Sequence, residues 1–457
     1  MEMKQVLWST IFLAFIPSLF KTAKLRYDGD QVLRIVPQDT IQADFMQNLC
    51  KDLMLDLWLP QMSELIRPQS EVHVRVPSSS LNEVKIKLEE KSIQYDIIIE
   101  NVQNLLEIQT QNVRPRTVKT VLYNYTKYHS MEEIYQWMTD ISEKHSEVVT
   151  HNFLGMTYEK RPIYYLKIGF SSEKPKKIIW MDCGIHAREW IAPAFCQWFT
   201  KEVLQNYKND PKIERLFKNI DIYMLPVLNI DGYIYTWTTD RLWRKSRSPP
   251  PYENCTCYGT DLNRNFDSHW CSIGASSDCC SQTFCGVEPA SEPEVKVVAD
   301  FVTSNKDDIL AFLTFHSYGQ LILTPYGYTE QPAANHDELM DVAHKAADAL
   351  KEKHGTEFKV GPSSWVLYKS SGSSRDWVRD VGINFSYTFE LRDNGTYGFR
   401  LPEEQIQPAC EETMAAVKTV INYIHEKHFS TDEASAITDL WSLMIASWAL
   451  VSSFTLS

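Results

Sequence analysis

The chain has 457 residues, 44% of them apolar and 12% aromatic, enough for two or three packed domains and unlike a disordered segment. A formal net charge of −13 argues against nucleic acid as a partner and confines any preference for acidic ligands to local features. Ten cysteines fit a secreted protein in an oxidising compartment.

In chain order, Val6 to Phe20 form a short apolar stretch behind Lys4, which reads as a signal peptide over residues 1–22. From 25 to 116 the pattern changes to alternating strands and short helices. Val32–Val36, Val72–Val76 and Ile93–Ile97 each read as a strand with one buried face, and Leu81, Val84 and Leu88 mark the apolar stripe of an intervening helix. The segment Arg114–Lys119 then reads as a basic linker open to a trypsin-like protease. Arg114 precedes proline and should resist cleavage, which leaves Arg116 or Lys119.

The third region, 117–429, carries the chemistry. Lys177–Asp182 reads as a fully buried strand, and His186 and Glu189, at i and i+3, can share one face of a helical turn after it. Ile309 to Phe315 is a second buried run and ends at His316. Phe385–Glu390 reads as an alternating strand, and a helix over Gln405–His428 closes the region. Beyond it, small polar residues from Ser430 to Ala436 precede Leu440–Ser457, apolar and uncharged. That pattern predicts a GPI-anchor signal over 430–457; a transmembrane helix is the alternative, of marginal length and with no basic flank.

Each His-x-x-Glu or lone histidine is a weak signal, but together His186, Glu189 and His316 offer the two imidazoles and one carboxylate that hold Zn²⁺ with an open position. Such a site lowers the pKa of a bound water toward about 7 and polarises a carbonyl. Glu390, at a strand tip, is then the candidate general base. Arg244 is a candidate for stabilising developing oxyanion charge. Arg264, helped by the Asn263 amide, can grip a terminal carboxylate through two parallel hydrogen bonds.

The motifs Asp182–Trp190, Asp240–Lys245, Asp261–Asn265, Phe315–Tyr318 and Thr388–Asp393 resemble the zinc metallocarboxypeptidases of the pancreatic A/B family from about Tyr123 to Lys427. The resemblance implies an α/β fold: a three-layer α/β/α catalytic domain with a mixed eight-stranded sheet, preceded by a small open α/β-sandwich pro-domain that caps the cleft. It implies one Zn²⁺ on His186, Glu189 and His316, with Glu390 and Arg244 catalytic. Asn263, Arg264 and Tyr368 would hold the substrate's terminal carboxylate. Arg188 matches a position contacting the residue further into the peptide, and Tyr318 joins the substrate-binding set. It further implies the disulfides Cys183–Cys196, Cys257–Cys280 and Cys271–Cys285. Cys255 and Cys279 flank two of these and can make a further bridge, while Cys50 and Cys410 stay free.

The family's specificity position maps to Arg375. An arginine there would pair with a C-terminal Glu or Asp and repel Lys and Arg, the pattern of a branch expected to remove acidic residues. Ser373 stands where close relatives usually have glycine, narrowing the pocket. The expected partners are therefore acidic peptide C-termini, an activating trypsin-like protease and the outer face of the plasma membrane through the anchor. Two rivals stand beside this reading: a carboxypeptidase of apolar or broad specificity if Arg375 turns to Asp376, and a catalytically silent peptide-binding surface protein. Sequons at Asn124, Asn254 and Asn394 are candidate glycosylation sites; Asn384 opens a core strand, which argues against a glycan there.

Overall fold

The structure is a computed structural model describing residues 24–110 and 123–429. The signal segment, the linker sites Arg116 and Lys119 and the anchor signal lie outside the described residues.

The first unit is an antiparallel sheet of β1 (Gln31–Ile35), β2 (Asp56–Leu59), β3 (Val72–Val76) and β4 (Tyr95–Ile99), in the order β2-β3-β1-β4. β3 has the predicted bounds, β1 starts one residue early and β4 is displaced two residues toward the C-terminus. β2 gave no signal because four residues are too few to show a period. On one face, Leu33, Val72, Val74 and Val76 pack against Met46 and Leu49 of the helix Thr40–Asp52 and Val84 and Leu88 of the helix Leu81–Glu90. The other face is also covered: Val32, Trp58 and Ile99 pack on Leu242 and Phe399 of the second unit.

The second unit contains an eight-stranded mixed sheet. Its strands are β5 (Val149–Met156), β6 (Pro162–Ile168), β7 (Lys177–Cys183), β8 (Ile220–Leu225), β9 (Ile309–Ser317), β10 (Leu321–Thr324), β11 (Lys359–Pro362) and β12 (Phe385–Leu391). The order is β11-β10-β12-β9-β7-β8-β6-β5, with a parallel centre of β12, β9, β7 and β8. Central parallel strands are covered on both faces, so β7 and β9 are buried almost throughout. β12 departs from the expected alternation for the same reason. It lies between β10 and β9, and within it only Glu390 is partly open. Residues 406–429 form the closing helix, one residue later at each end than expected.

Functional side chains gather beyond the C-terminal ends of β7, β9 and β12, where open α/β sheets present ligand sites. The segment after β7 is a turn rather than the expected helical face: Gly184 takes φ +68°, the Glu189 N–H donates to the His186 carbonyl at 3.3 Å, and the helix begins only at Ile191. The Cys183–Cys196 bridge, spanning 13 residues, ties the end of β7 to that helix and closes the turn, a loop size worth about 3 kcal/mol. Cys255–Cys279, Cys257–Cys280 and Cys271–Cys285 are also formed, and Cys50 and Cys410 are buried thiols. Asn254 and Asn394 are exposed and Asn124 is half-buried. Asn384 is exposed too, one residue before β12, so the argument against a glycan there does not hold.

Glu294 makes the fold sensitive to alkali. Fully buried in the first turn of the helix Pro293–Asn305, it accepts one hydrogen bond from the Tyr158 N–H, while its second oxygen has no partner. Burial, then the nearby Glu292 and Asp231 carboxylates, pushes it up from 4.5 to about 8. The folded chain therefore binds more protons than the unfolded chain between these values. This contribution to stability is complete below about 4.5 and is lost as pH rises through about 8. Thermal unfolding of Glu294→Gln between pH 5 and 9 should show a flatter decline in Tm than the parent; parallel slopes would contradict this assignment.

Candidate active site

His186, Glu189 and His316 converge in a buried cluster. Glu189 lies 2.8 Å from His186 Nδ1 through one oxygen and 3.1 Å from His316 Nδ1 through the other, and the two Nδ1 atoms are 3.1 Å apart. The outer ring nitrogens determine what those Nδ1 atoms carry. His186 Nε2 lies 3.1 Å from Asp261, a carboxylate that can only accept, so this nitrogen holds the proton. His316 Nε2 lies 3.3 Å from the Thr314 hydroxyl, which donates its own proton to Asp182 at 2.7 Å and so accepts from the ring. Asp182 also accepts from Trp180 Nε1 at 2.8 Å; burial pushes it up to about 6, still ionised at pH 7. Burial holds the His316 imidazole down at about 4, hence neutral. Two lone pairs and a carboxylate thus face one another with no proton between the rings. This donor set fits a divalent cation with N and O ligands, and zinc in particular.

The cluster continues into a set of cations. Asp261 accepts from Arg244 Nε and Nη2 at 3.1 and 2.8 Å, which leaves Arg244 Nη1 without a hydrogen bond, 3.8 Å from Glu189. The other Asp261 oxygen caps the turn Leu262–Arg264 through the Asn263 N–H at 3.0 Å. Arg264 is anchored by Nε to the Gly274 carbonyl at 2.8 Å, inside the loop closed by Cys271–Cys285. The Asn263 side chain accepts from the Ser374 N–H at 3.0 Å. Tyr368 lies near enough to Arg264, Arg244 and Glu390 to feel their charges, although burial pushes its phenol up.

Glu390 pairs in register with His316 across β12 and β9, so two rigid strands set the carboxylate beside the metal cluster. Burial, then the Glu189 charge, pushes it well above the usual carboxylate range, against the pull of Arg244 and Arg375. Arg375 is buried and asymmetrically held. Nε donates to Asp376 at 2.9 Å, while Nη1 and Nη2 make only long contacts, 3.4 Å each, to Thr388 and Ser373. Asp376 is fixed in turn by the Gly327 N–H at 2.8 Å. A Cβ at Gly327 would lie 2.8 Å from Arg375 Nη2, so glycine leaves the guanidinium its space.

The first unit meets the outer members of this set. Asp56 lies 3.6 Å from Arg188, Gln61 accepts from Arg264 Nη2 at 3.2 Å, and His73 Nδ1 is 2.9 Å from the Tyr318 hydroxyl. Arg244 and Glu390 therefore lie beside the metal cluster, while Arg188, Arg264 and Tyr318 each meet a side chain of the first unit. Asp261, Thr314 and Asp182 had no assigned role; the signal that finds them is the need of a buried ligand histidine for an acceptor behind it.

The sequence matches the zinc carboxypeptidase family over residues 134–416 and the carboxypeptidase activation peptide over residues 33–109. Carboxypeptidase O of Homo sapiens is 64% identical over 342 residues, covering 75% of this chain and 90% of that protein. Its Bos taurus counterpart is 68% identical over 312 residues, covering 68% and 83%. The crystal structure of thrombin activatable fibrinolysis inhibitor aligns with a TM-score of 0.81 at 42% identity, over 87% of this chain and 99% of that one.

Removing the acceptor behind His316 should loosen the metal. Thr314→Val is expected to lower zinc affinity about ten-fold, with Thr314→Ser close to the parent, as read by competition with a chromogenic chelator. Equal affinities in all three proteins would remove Thr314 from this role.

Proposed function

Because the chain belongs to the zinc carboxypeptidase family and carries its activation peptide, we propose that it removes Glu or Asp from peptide C-termini at the outer face of the plasma membrane. Support for the acidic preference comes from Arg375, a buried guanidinium whose two Nη atoms have only long neutral contacts. A substrate carboxylate can replace those contacts with charge-assisted bonds. Asp376 on Nε is the observation favouring a broader pocket, since it offsets part of the charge.

The remaining residues divide the work. Arg264, with Asn263 and Tyr368, anchors the terminal carboxylate. Arg244 directs its unpartnered Nη1 at the scissile carbonyl oxygen, where negative charge grows in the transition state. Glu390 takes a proton from the attacking water and delivers it to the leaving amine. Zinc, when bound by His186, Glu189 and His316, supplies Lewis acidity toward the carbonyl and a lowered pKa for water.

Before activation, Asp56, Gln61 and His73 occupy Arg188, Arg264 and Tyr318, which supports secretion as a latent precursor. Cleavage at Arg116 or Lys119 by a trypsin-like protease would release them. Among the described residues no helix is long and apolar enough to cross a membrane, and the membrane assignment rests on the Leu440–Ser457 pattern.

Three measurements test these assignments. Glu390→Gln should lose about 10²–10⁴-fold in kcat with unchanged zinc content; full activity would exclude it as the base. In protein ending before Ser430 and cleaved in the linker, kcat/KM should favour peptides ending in Glu over otherwise identical ones ending in Phe or Lys. Arg375→Ile should lose that preference by about 100-fold, and a parent that prefers Phe would sink the acidic reading while leaving the enzyme intact. Phosphatidylinositol-specific phospholipase C should release the full-length protein from expressing cells; retention would refute the anchor.

A further inference from the structure

The turn 393–398 stands where pro-domain and catalytic domain meet. Asp393 stiffens it: one carboxylate oxygen accepts from the Gly395 and Gly398 N–H groups at 3.0 Å each, and the other accepts from the Tyr397 N–H at 2.7 Å. Both glycines are closely hemmed in. A Cβ at Gly395 would lie 2.5 Å from the His73 ring of the pro-domain, and one at Gly398 would lie 2.8 Å from the Trp58 ring and 3.2 Å from the Tyr318 ring. The turn has little room to shift, so a group carried on its outer side keeps one direction.

Asn394 and Thr396 are the exposed residues of this turn, and with Gly395 between them they form an Asn-x-Thr glycosylation sequon. Two other sequons are less open in the folded chain. Asn124 turns its side-chain oxygen back on the N–H and hydroxyl of its own Thr126, at 2.9 and 2.8 Å. In the Asn384 sequon the Ser386 hydroxyl is buried and donates to the Arg375 carbonyl at 2.8 Å. Asn254 is as exposed as Asn394 but does not line the groove described next.

Asn394 borders a groove of about 860 Å³ between the two domains. The pro-domain contributes Arg34 and Glu71 to its lining, the helix His336–His354 contributes Asp348 and Lys351, and Tyr318 and Tyr368 connect it to the cleft. Such charged groups donate to and accept from sugar hydroxyls. An oligosaccharide rooted at Asn394 thus has a polar space to occupy while the pro-domain is docked. When the pro-domain leaves, Arg34 and Glu71 leave with it, and the sugar stays at the rim beside Tyr318 and Tyr368.

We propose that Asn394 carries an N-linked glycan that acts as a size filter at the cleft. It admits slender peptide tails and excludes C-termini held close to a folded body. The glycan is bulky and hydrated, and its root is fixed by the stiff turn, so a folded domain cannot approach on that side without displacing it. A short peptide needs no such displacement. The effect is steric: it weakens the binding of wide substrates and leaves the chemical step alone. The proposal rests on the carboxypeptidase reading of the cleft but is independent of Arg375.

The test uses linker-cleaved protein secreted from glycosylating cells. Peptide N-glycosidase leaves an aspartate where a sugar was attached, and peptide mapping should find that conversion at position 394. Two substrates then share the same last three residues, ending in whichever residue is cleaved best: a free tripeptide, and a small folded protein with that tripeptide next to its folded body. Asn394→Gln and Thr396→Ala both remove the sequon and should raise kcat/KM on the folded substrate several-fold, through KM, with the tripeptide unchanged. Thr396→Ser keeps the sequon and should match the parent. An unmodified Asn394 overturns the proposal, as does the same ratio of the two substrates in all four proteins. A rise in Asn394→Gln without one in Thr396→Ala would assign the effect to the asparagine itself and overturn it too. Failure to cleave the tripeptide would instead strike the carboxypeptidase reading beneath it.

Discussion

Asp261 is the buried carboxylate on which the rest of the site depends. Burial alone would raise its pKa, but the Arg244 charge, helped by the hydrogen bond from the His186 ring, holds it well below the usual range. One oxygen accepts from the His186 ring and the Asn263 N–H, and the other accepts twice from Arg244. The tautomer of His186, the aim of Arg244 and the start of the turn bearing Arg264 are therefore fixed by one group. A buried carboxylate with four donors is rigid because each alternative geometry strands a donor away from water. The metal cluster, Arg244 and the Leu262–Arg264 turn thus form a single mechanical unit.

The pro-domain meets the outer residues around this unit with three polar side chains. A carboxylate from Asp56, an amide from Gln61 and an imidazole from His73 reach Arg188, Arg264 and Tyr318. Gln61 approaches Arg264 with a neutral oxygen, so the guanidinium is covered without a full ion pair. The apolar contacts of Trp58, Val32 and Ile99 with Phe399 and Leu242 carry the docking energy, and the polar ones set its register.

Much of this was legible in the sequence because the chemistry sits in short motifs. His186, Glu189 and His316 converge in one cluster as the spacing and resemblance implied, and Arg244 and Glu390 lie beside it. Strands with a clear period, such as Val72–Val76, were placed to the residue, whereas β2 is too short to announce itself. β12 misled because alternation in composition does not mean alternation in burial. Its serine, tyrosine and threonine are buried with its phenylalanines once β9 and β10 flank it. The turn at His186 misled differently: an i, i+3 pair suits a helix, but Gly184 and the Cys183–Cys196 bridge leave room only for a tight loop. Asp182, Thr314 and Asp261 could not be assigned, since a supporting role exists only through the ring nitrogen each one serves.

The loop around Gly274 gives the enzyme a birthplace as well as a shape. Its carbonyl holds Arg264, the neighbouring Ile273 carbonyl accepts from the Ser371 N–H beside the specificity segment, and the whole turn is cinched by Cys271–Cys285. The placement of Arg264 is therefore completed by oxidation, an event outside the ribosome's own compartment. A chain still reduced would carry the same side chains and lack the brace around Arg264. The setting of Arg264 is thus tied to an oxidising secretory pathway by the covalent chemistry of one small loop.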